Sequence, residues 1–462
     1  MDSEDSELYS NEDEDEDGCA GMFDDYSDDG GCQASDGSDI GDASDFKREK
    51  RKDTYEKEGP LADLGKALSI VQGNRGEFSF GGKADFLPPA PGLEIEGIGR
   101  VVLPLIDEQV AERIIDVCEQ APFGRGRETL VDTSVRNSWQ LDPSKIKLTN
   151  PDWATGIQRA IPIIAKKLGV EGTPLTLHPY KFLLYKKGGH FTKHRDTEKE
   201  DRMFATMVIQ LPSVHQGGQL QVFKDGSEDP VIHDFGAAAG TAEYRCNYAV
   251  HYADAEHAVT PITDGYRLAL IYSICWPVRS SHPAPTTADE LYPALLKPLA
   301  ELANADRAFH YYLKHEYTYH SMSDIAFGSL KGEDRARVQS LRTANEYLPP
   351  DQRYNFYLLQ GKRHASYFSE DYTTWNVKEW ALVEEPKYKY GPLLDLEGKQ
   401  LRKSYPTLAD ADVLNPDHQS RYQRWSGHRT KTYEGSLGNE GAHQGLDISQ
   451  VSASRLASKV DG

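Results

Sequence analysis

The tripeptide His194-Arg195-Asp196 is the segment of this sequence best suited to chemistry. In an extended chain, residues i and i+2 point to the same face, so this imidazole and this carboxylate can reach one metal ion. A histidine from a distant strand would complete a set of two imidazoles and one carboxylate. That set is typical of non-haem Fe(II) oxygenases, because it leaves open positions on the other side of the metal. Alone the tripeptide says little, since a chain with 15 His should contain about one by accident.

The surrounding residues add spacing that a chance tripeptide would lack. The upstream sequence reads Tyr185-x-x-Gly188-x-x-Phe191-x-x-His194-x-Asp196. Downstream, His257 is followed ten positions later by Arg267, at the start of an apolar segment. His251 competes with His257 as the third ligand. Ten positions after His251, however, stands Pro261, which cannot bind a carboxylate, so the spacing favours His257.

This combination resembles the prolyl 4-hydroxylase-type branch of the Fe(II)/2-oxoglutarate oxygenases, over roughly residues 175–276. The segment from Gln216 to Phe223, with its Gly-Gly pair, looks like that family's glycine turn and strand. The resemblance implies a catalytic metal site at His194, Asp196 and His257. It implies further that Arg267 and Tyr185 bind the distal carboxylate of 2-oxoglutarate. A planar guanidinium suits that task, because it can hold a carboxylate through two parallel hydrogen bonds.

The activity that the resemblance implies is hydroxylation with release of succinate and carbon dioxide. Its cofactors are Fe(II) and 2-oxoglutarate, with ascorbate as an optional addition, and the leading substrate is a prolyl residue of a protein or peptide. Two alternatives stay open. The chain could be a non-catalytic jelly-roll scaffold that binds metal or peptide, with an acidic interaction tail, or an oxygenase acting on nucleic acid. For the nucleic-acid alternative, the sequence lacks the excess of basic residues that such binding usually needs.

The elements that must position these residues are two helices followed by short strands. Apolar residues at helical spacing predict helices over Asp107 to Gln120 and Asp152 to Leu168. Glycine and charged turns then separate five β-type segments: Leu177 to Lys186, Phe204 to Leu211, Gly218 to Lys224, Thr241 to Tyr252 and Tyr266 to Ile274. Helices and strands that do not alternate predict a mainly β fold with flanking helices (α+β), built on a double-stranded β-helix (jelly roll) core.

Three regions follow from composition. The first 45 residues contain 18 Asp and Glu and no Lys or Arg, so they account for most of the net charge of −21. We therefore expect residues 1–60 to be a disordered acidic tail, which serves as a solubilising segment or contacts a basic protein. Residues 85–280 are the predicted oxygenase domain, with its catalytic core at 175–276. Residues 281–462 are a carboxy-terminal extension of unknown role, packed on the barrel, whose end from Asp447 is expected to be loose.

Composition also bears on the compartment. Five scattered Cys predict neither a disulfide framework nor a zinc site and fit a reducing compartment. The sequence shows no secretory leader and no apolar run of about 18 residues. A basic cluster from Lys47 to Lys52 is either a solvated linker or a nuclear address. The chain is expected to be cytoplasmic or nuclear, neither secreted nor membrane-bound.

Several residues near the motif have structural interpretations. His190 and His215 are predicted to be surface or turn residues. Phe191 is predicted to form a pocket wall, and Trp139 to lie in the core rather than in a substrate groove. The remaining group is predicted to be turn glycines with positive φ: Gly188, Gly217, Gly218 and Gly265.

Overall fold

The computed structural model describes residues 58–71, 76–125, 128–196, 200–224, 229–277, 292–315, 317, 319–368, 381–382, 387–403, 412–414, 430–431 and 443–454. Nearly all of the predicted acidic tail, together with its basic cluster, lies outside these residues. The described part contains six α-helices: α1 (Pro60–Ser69), α2 (Glu108–Val117), α3 (Asp152–Lys167), α4 (Pro293–Asn304), α5 (Tyr319–Asp324) and α6 (Gly332–Glu346). It also contains 3-10 turns at Pro143–Lys145, Ala326–Ser329 and Pro350–Gln352.

Nineteen strands occupy the described chain before α4. They are β1 (Ser79–Lys83), β2 (Leu93–Ile95), β3 (Gly99–Arg100), β4 (Glu119–Gln120), β5 (Phe123–Arg125), β6 (Glu128–Leu130), β7 (Arg136–Asn137), β8 (Trp139–Leu141), β9 (Ile146–Leu148), β10 (Thr176–Tyr185), β11 (His190–His194), β12 (Met203–Gln210), β13 (His215–Gly217), β14 (Leu220–Phe223), β15 (Pro230–His233), β16 (Asn247–Tyr252), β17 (Glu256–Val259), β18 (Ile262–Gly265) and β19 (Arg267–Cys275).

These strands build a barrel from two antiparallel sheets. The seven-stranded major sheet has the order β1-β16-β12-β19-β10-β8-β4, and the five-stranded minor sheet has the order β15-β14-β17-β11-β7. Residues of both sheets belong to one hydrophobic core. The predicted mainly β fold with flanking helices and a jelly-roll core is confirmed. Because β1 pairs with β16 along its whole length, the major sheet begins upstream of residue 85.

The two predicted helices form and support the barrel. The Asp107 carboxylate caps α2 by accepting hydrogen bonds from the backbone N–H groups of Gln109 and Val110. Helix α3 packs on the major sheet, where Trp153 Nε1 donates to the Tyr272 hydroxyl at 3.2 Å. The apolar residues at helical spacing form the core side of α3. Ile161 is partly buried, and four others are fully buried: Trp153, Ile157, Ile164 and Leu168.

The strand predictions hold with one large shift in a boundary. The segment predicted as a strand from Thr241 begins as β16 only at Asn247. The residues before it form turns, in which the Asp234 carboxylate accepts from the backbone N–H of Gly236, and Gly236 O accepts from the N–H of Thr241. Local side-chain hydrogen bonds of this kind compete with strand pairing.

The carboxy-terminal extension is a second lobe with its own core. Its strands are β20 (Phe309–Tyr312), β21 (Asn355–Phe368), β22 (Ala381–Leu382), β23 (Lys387–Leu394), β24 (Gln400–Arg402), β25 (Val413–Leu414), β26 (Thr430–Lys431) and β27 (His443–Ser454). Their sheet has the order β24-β23-β21-β27-β20-β25. Leu61, Leu64 and Leu68 of α1 share a hydrophobic core with α4 and α6. We call α1 and the described residues of 292–454 the second lobe.

The prediction of a loose end from Asp447 was wrong for the residues up to 454. Strand β27 pairs with β21 over Asn355 to Ser366 and with β20 over Phe309 to Tyr312. Strand pairing uses the backbone N–H and C=O groups, which a polar segment carries as fully as an apolar one. No helix within the described ranges is long and apolar enough to cross a membrane.

Candidate active site

The two segments that carry the predicted metal ligands lie side by side in the minor sheet. Strand β11 ends at His194 and pairs with β17, where His257 lies directly opposite. The two ring centroids are 4.2 Å apart, and Asp196 Oδ2 lies 3.9 Å from His257 Nε2. One potential ligand atom of each of the three residues lies within 4.8 Å of the other two. The structure thus brings together the two imidazoles and the carboxylate that the sequence singled out.

Backbone carbonyl groups fix the tautomer of both imidazoles. His194 Nδ1 donates to Thr192 O at 2.8 Å, and His257 Nδ1 donates to Ala255 O at 2.9 Å. A carbonyl oxygen can only accept, so the proton must lie on Nδ1 in each ring. The lone pair of Nε2 is left for a metal ion, which is the usual arrangement of a metal-binding histidine.

Asp196 is held by both its side chain and its backbone. The Thr206 hydroxyl of β12 donates to Asp196 Oδ2 at 2.8 Å. The Asp196 N–H donates to Ala253 O at 3.1 Å. Since a freely rotating carboxylate loses entropy when it binds a metal, these two bonds orient Asp196 in advance.

The electrostatics of the group match the protonation states that a divalent cation needs. Burial lowers the pKa of His194 and of His257 to about 4, so both rings are neutral near pH 7. Burial acts to raise the pKa of Asp196, but the neighbouring imidazoles, led by His257 and His251, hold it well below its ordinary value. Two neutral imidazoles and one carboxylate fit Fe(II).

His251, the alternative third ligand, lies beside the group and is not part of it. It is 1% exposed, and its ring centroid is 4.3 Å from that of His257. Its Nδ1 donates to Tyr252 O at 2.9 Å, whereas its buried Nε2 has no hydrogen-bond partner among the described residues. The geometry therefore favours His257, as the sequence spacing did.

Arg267 is buried without an acidic partner. It is 1% exposed, and Nε donates to Gln210 Oε1 at 3.2 Å. Its guanidinium carbon lies 5.4 Å from the Tyr185 ring centroid and 4.7 Å from that of Phe235. Burial lowers the pKa of Arg267, and only Tyr185 opposes that effect. No carboxylate in the described part of the chain pairs with this guanidinium, so an anionic ligand is the partner it lacks.

Tyr185 and Arg267 face each other across two neighbouring strands. Tyr185 of β10 lies opposite Arg267 of β19 in the sheet register, and the tyrosine is 2% exposed. Gln210 and Thr206 lie on one face of β12, because residues four apart in a strand point the same way. On that face, Gln210 contacts Arg267 and Thr206 contacts Asp196. A dicarboxylate reaching from metal to guanidinium fits this arrangement.

The Gly-Gly turn allows the chain to pass close to Arg267. Gly218 has φ +68°, and an added Cβ would collide with Ile262 Cδ1 and come within 3.1 Å of Arg267 Cδ. Only glycine adopts this backbone conformation at little cost and leaves room for the arginine. The four predicted turn glycines do have positive φ, from 68° to 80°: Gly188, Gly217, Gly218 and Gly265.

The prediction for His215 was wrong. This residue is 6% exposed, and neither ring nitrogen has a hydrogen-bond partner of acceptable geometry within the described residues. Burial, with a contribution from Arg267, lowers its pKa to about 4. His215 lies opposite Gly265 in the β13-β18 pair, so its burial results from a tertiary contact. His190, by contrast, is the half-buried first residue of β11, where Nδ1 contacts Gly188 O at 3.0 Å.

An aromatic and cationic rim borders the metal ligands. The Phe191 ring stacks on that of His194 with 3.4 Å between centroids, as expected of a pocket wall. Arg136, which the sequence did not single out, lies 4.6 Å from the Phe191 centroid. Burial and then the charge of Asp196 raise the pKa of Tyr180. Trp139 is half-buried against the core, with Lys186 Nζ 5.0 Å from its ring.

Two other features lie apart from these ligands. His178, Glu200 and Cys275 also bring potential ligand atoms within 4.8 Å of one another, but His178 Nδ1 and Glu200 Oε2 are joined in a 2.6 Å hydrogen bond. An open cleft of about 170 Å³ lies between the barrel and the second lobe. Its lining includes Arg195 and Glu256 but none of the three metal-ligand candidates.

Comparison with known proteins agrees with the site. Residues 180–274 match the family model of the 2OG-Fe(II) oxygenase superfamily. A search among curated proteins found no match.

Solved structures similar to this chain include two prolyl hydroxylases. A Pseudomonas putida prolyl-4-hydroxylase has 22% identity and a TM-score of 0.28, and the match covers 46% of this chain and 98% of that one. A Trichoplax adhaerens prolyl hydroxylase, in complex with a hypoxia inducible factor peptide fragment, has 10% identity and a TM-score of 0.27, with 47% and 90% covered. The part of the chain that carries the His-Asp-His group, residues 180–274, is thus similar to the Fe(II)- and 2-oxoglutarate-dependent oxygenases of that superfamily.

Proposed function

We propose that this dioxygenase hydroxylates a protein substrate, with a prolyl side chain as the leading target, and consumes 2-oxoglutarate in doing so. Its metal ligands would be His194, Asp196 and His257. Its distal carboxylate site would be Arg267 with Tyr185. The prolyl target is supported by the motif from Tyr185 to Asp196 and the His257 to Arg267 spacing, which resemble those of prolyl 4-hydroxylases.

The observation that carries the proposal is that Arg267 is buried and bonded to Gln210. Gln210 lies on the face of β12 from which Thr206 bonds Asp196. An unpaired buried cation is costly, and a chain tolerates it mainly where a ligand supplies the counter-charge. A bound dicarboxylate such as 2-oxoglutarate would supply that counter-charge.

The residues of this chain would divide the work as follows. Fe(II) with 2-oxoglutarate supplies, when bound, the activation of molecular oxygen for attack on an unreactive C–H bond. Arg267 binds and orients the distal carboxylate, and the Tyr185 hydroxyl donates a hydrogen bond to it. Thr206 and the carbonyl groups of Thr192 and Ala255 hold the ligands in place. The apolar walls exclude water, which protects the oxidising centre from side reactions.

The test is turnover of 2-oxoglutarate by the full chain. With Fe(II), oxygen and 2-oxoglutarate, the wild-type protein should form succinate even without substrate, because this reaction is commonly uncoupled. Asp196→Ala should abolish it. Asp264→Ala, at an exposed aspartate on β18, is the matched control and should retain it. Absence of succinate from the wild type, with no effect of His194→Ala on Fe(II) binding, would favour the scaffold.

The substrate class needs a separate experiment. Cell extract incubated with wild-type protein or with Asp196→Ala is compared by mass spectrometry for peptides that gain one oxygen atom. Gains on proline in the wild-type sample alone are the expected result. Gains on another residue type would replace the prolyl target. Affinity for DNA or RNA that falls steeply with salt would favour the nucleic-acid alternative.

A further inference from the structure

The turn between β16 and β17, Tyr252 to Glu256, carries two of the backbone groups that orient the metal ligands. Ala253 O accepts the Asp196 N–H at 3.1 Å. Ala255 O accepts the His257 Nδ1–H at 2.9 Å. Asp254 lies between these two carbonyl groups. A shift of this residue would therefore move the supports of two different ligands together.

Asp254 is held by the second lobe. Its Oδ2 contacts His315 Nδ1 at 3.0 Å, and its Oδ1 lies 3.5 Å from Lys331 Nζ. All three side chains are largely buried, at 10% exposure for Asp254, 11% for His315 and 5% for Lys331. The His315 ring also meets the Tyr252 ring edge-on, at 4.7 Å between centroids. Burial makes the contact between Asp254 and Lys331 stronger than a surface ion pair.

His315 and Lys331 project from a rigid frame. Asp334, near the start of α6, is fully buried and accepts the backbone N–H groups of Lys314 and His315, each within 2.9 Å. It also accepts the Tyr317 hydroxyl at 3.0 Å, and that hydroxyl in turn accepts the Lys331 N–H at 2.9 Å. The two residues that contact Asp254 are thus linked to one buried carboxylate, His315 directly and Lys331 through the Tyr317 hydroxyl. These bonds oppose any movement of the two residues with the turn.

We infer that the second lobe is part of the metal centre's support, and that His315 and Lys331 are positioning residues which act through Asp254 on Asp196 and His257. This inference rests on the proposed function. It gives residues 292–454 a role in the reaction of the barrel. The three residues at its centre, Asp254, His315 and Lys331, are called the clamp.

The experiment measures Fe(II) affinity in the full chain, without turnover. Fe(II) is titrated anaerobically in the presence of 2-oxoglutarate, and the visible charge-transfer band of the complex reports binding. Lys331→Met and Asp254→Asn should each weaken Fe(II) binding on the order of tenfold, at the low end for residues that orient metal ligands. Lys331→Arg keeps the charge and should restore part of the affinity. Lys314→Met is the matched control, because Lys314 Nζ pairs with Glu333 at 3.1 Å and not with Asp254.

A double variant keeps the test independent of folding. Lys331→Met leaves a buried carboxylate with one partner fewer, whereas Lys331→Met with Asp254→Asn removes both charges and avoids that cost. If the two residues act through one contact, the double variant should bind Fe(II) no more weakly than the weaker single variant. Thermal unfolding of each metal-free variant shows that the protein measured is folded.

The outcomes separate the two proposals. A wild-type protein that shows neither band nor succinate overturns the proposed function. If the wild type shows both and Lys331→Met binds Fe(II) as tightly as the wild type or as Lys314→Met, the clamp is overturned. The proposed function then still stands. Effects of Lys331→Met and Asp254→Asn that simply add would also overturn the clamp.

Discussion

Replacement of Arg267 by methionine is expected to weaken 2-oxoglutarate binding strongly without weakening the fold. Arg267 is 1% exposed and no described carboxylate pairs with it, so the metal-free and ligand-free protein bears the cost of a buried charge. Methionine replaces the aliphatic part of the arginine side chain and removes that charge. The midpoint of thermal unfolding of Arg267→Met without ligand should therefore equal or exceed that of the wild type.

The loss of affinity can be worked from the same contacts. A hydrogen bond to a charged group contributes about 1.5–3 kcal/mol, and a carboxylate left buried without its partner costs about 2–5 kcal/mol. A loss of about 3 kcal/mol corresponds to a dissociation constant raised on the order of 100-fold. Tyr185 remains and holds part of the affinity. Calorimetric titration of 2-oxoglutarate into protein loaded with Mn(II) under argon measures the change without turnover.

Arg337→Met is the matched control for this variant. Arg337 is also 1% exposed, but Nη2 pairs with Glu333 Oε1 at 2.5 Å, and Nη1 donates to the Tyr311 hydroxyl. Its removal should destabilise the second lobe by about 3 kcal/mol and leave the dissociation constant for 2-oxoglutarate unchanged in the folded protein. The reasoning about Arg267 fails if Arg267→Met binds 2-oxoglutarate like the wild type, or unfolds as readily as Arg337→Met.

Two further predictions concern acid stability and the glycine turn. Burial is the largest cause that lowers the pKa of six histidines to about 4: His194, His215, His233, His251, His257 and His310. As the pH falls below about 6.5, the unfolded chain takes up these protons first, so the metal-free protein should lose stability progressively between about pH 6.5 and pH 4. Urea unfolding midpoints across that range measure the loss, and constant midpoints would contradict the buried neutral state. Gly218→Ala should weaken 2-oxoglutarate binding, because its Cβ meets Ile262 and Arg267. Gly188 has φ +80° and no atom within 4 Å of an added Cβ, so Gly188→Ala should cost only about 1 kcal/mol of stability. If both variants lose 2-oxoglutarate affinity equally, Gly218 has no special role in shaping the ligand site.

The residues that the sequence identified are those whose positions follow from strand geometry. His194 ends β11, and Asp196, two residues later, brings its carboxylate to the same group. The spacing between His257 and Arg267 matched a known pattern, and the structure places His257 opposite His194. Side chains on one strand or on paired strands are positioned by period and register, both of which a sequence displays.

The residues that the sequence missed are positioned by contacts between distant segments. His215 is buried because β13 pairs with β18, and nothing in its immediate neighbours shows that pairing. Arg136 reaches Phe191 only because β7 pairs with β11 at the edge of the minor sheet. The pairing of β27 with β21 uses backbone groups, which carry no sequence signature at all.

The second lobe is assembled from segments that lie on both sides of the barrel in the sequence. Its core joins α1, before the barrel, to α4 and α6, after the barrel, so the chain leaves this lobe, builds both sheets and returns. A fragment of residues 85–280 would lack β1 of the major sheet and both partners of Asp254. It would keep every motif residue and yet lose the supports of the turn that holds Asp196 and His257. Linear motifs record ligands and not the residues that support them. If the clamp inference holds, the unit that supports the metal ligands includes residues encoded on both sides of the barrel.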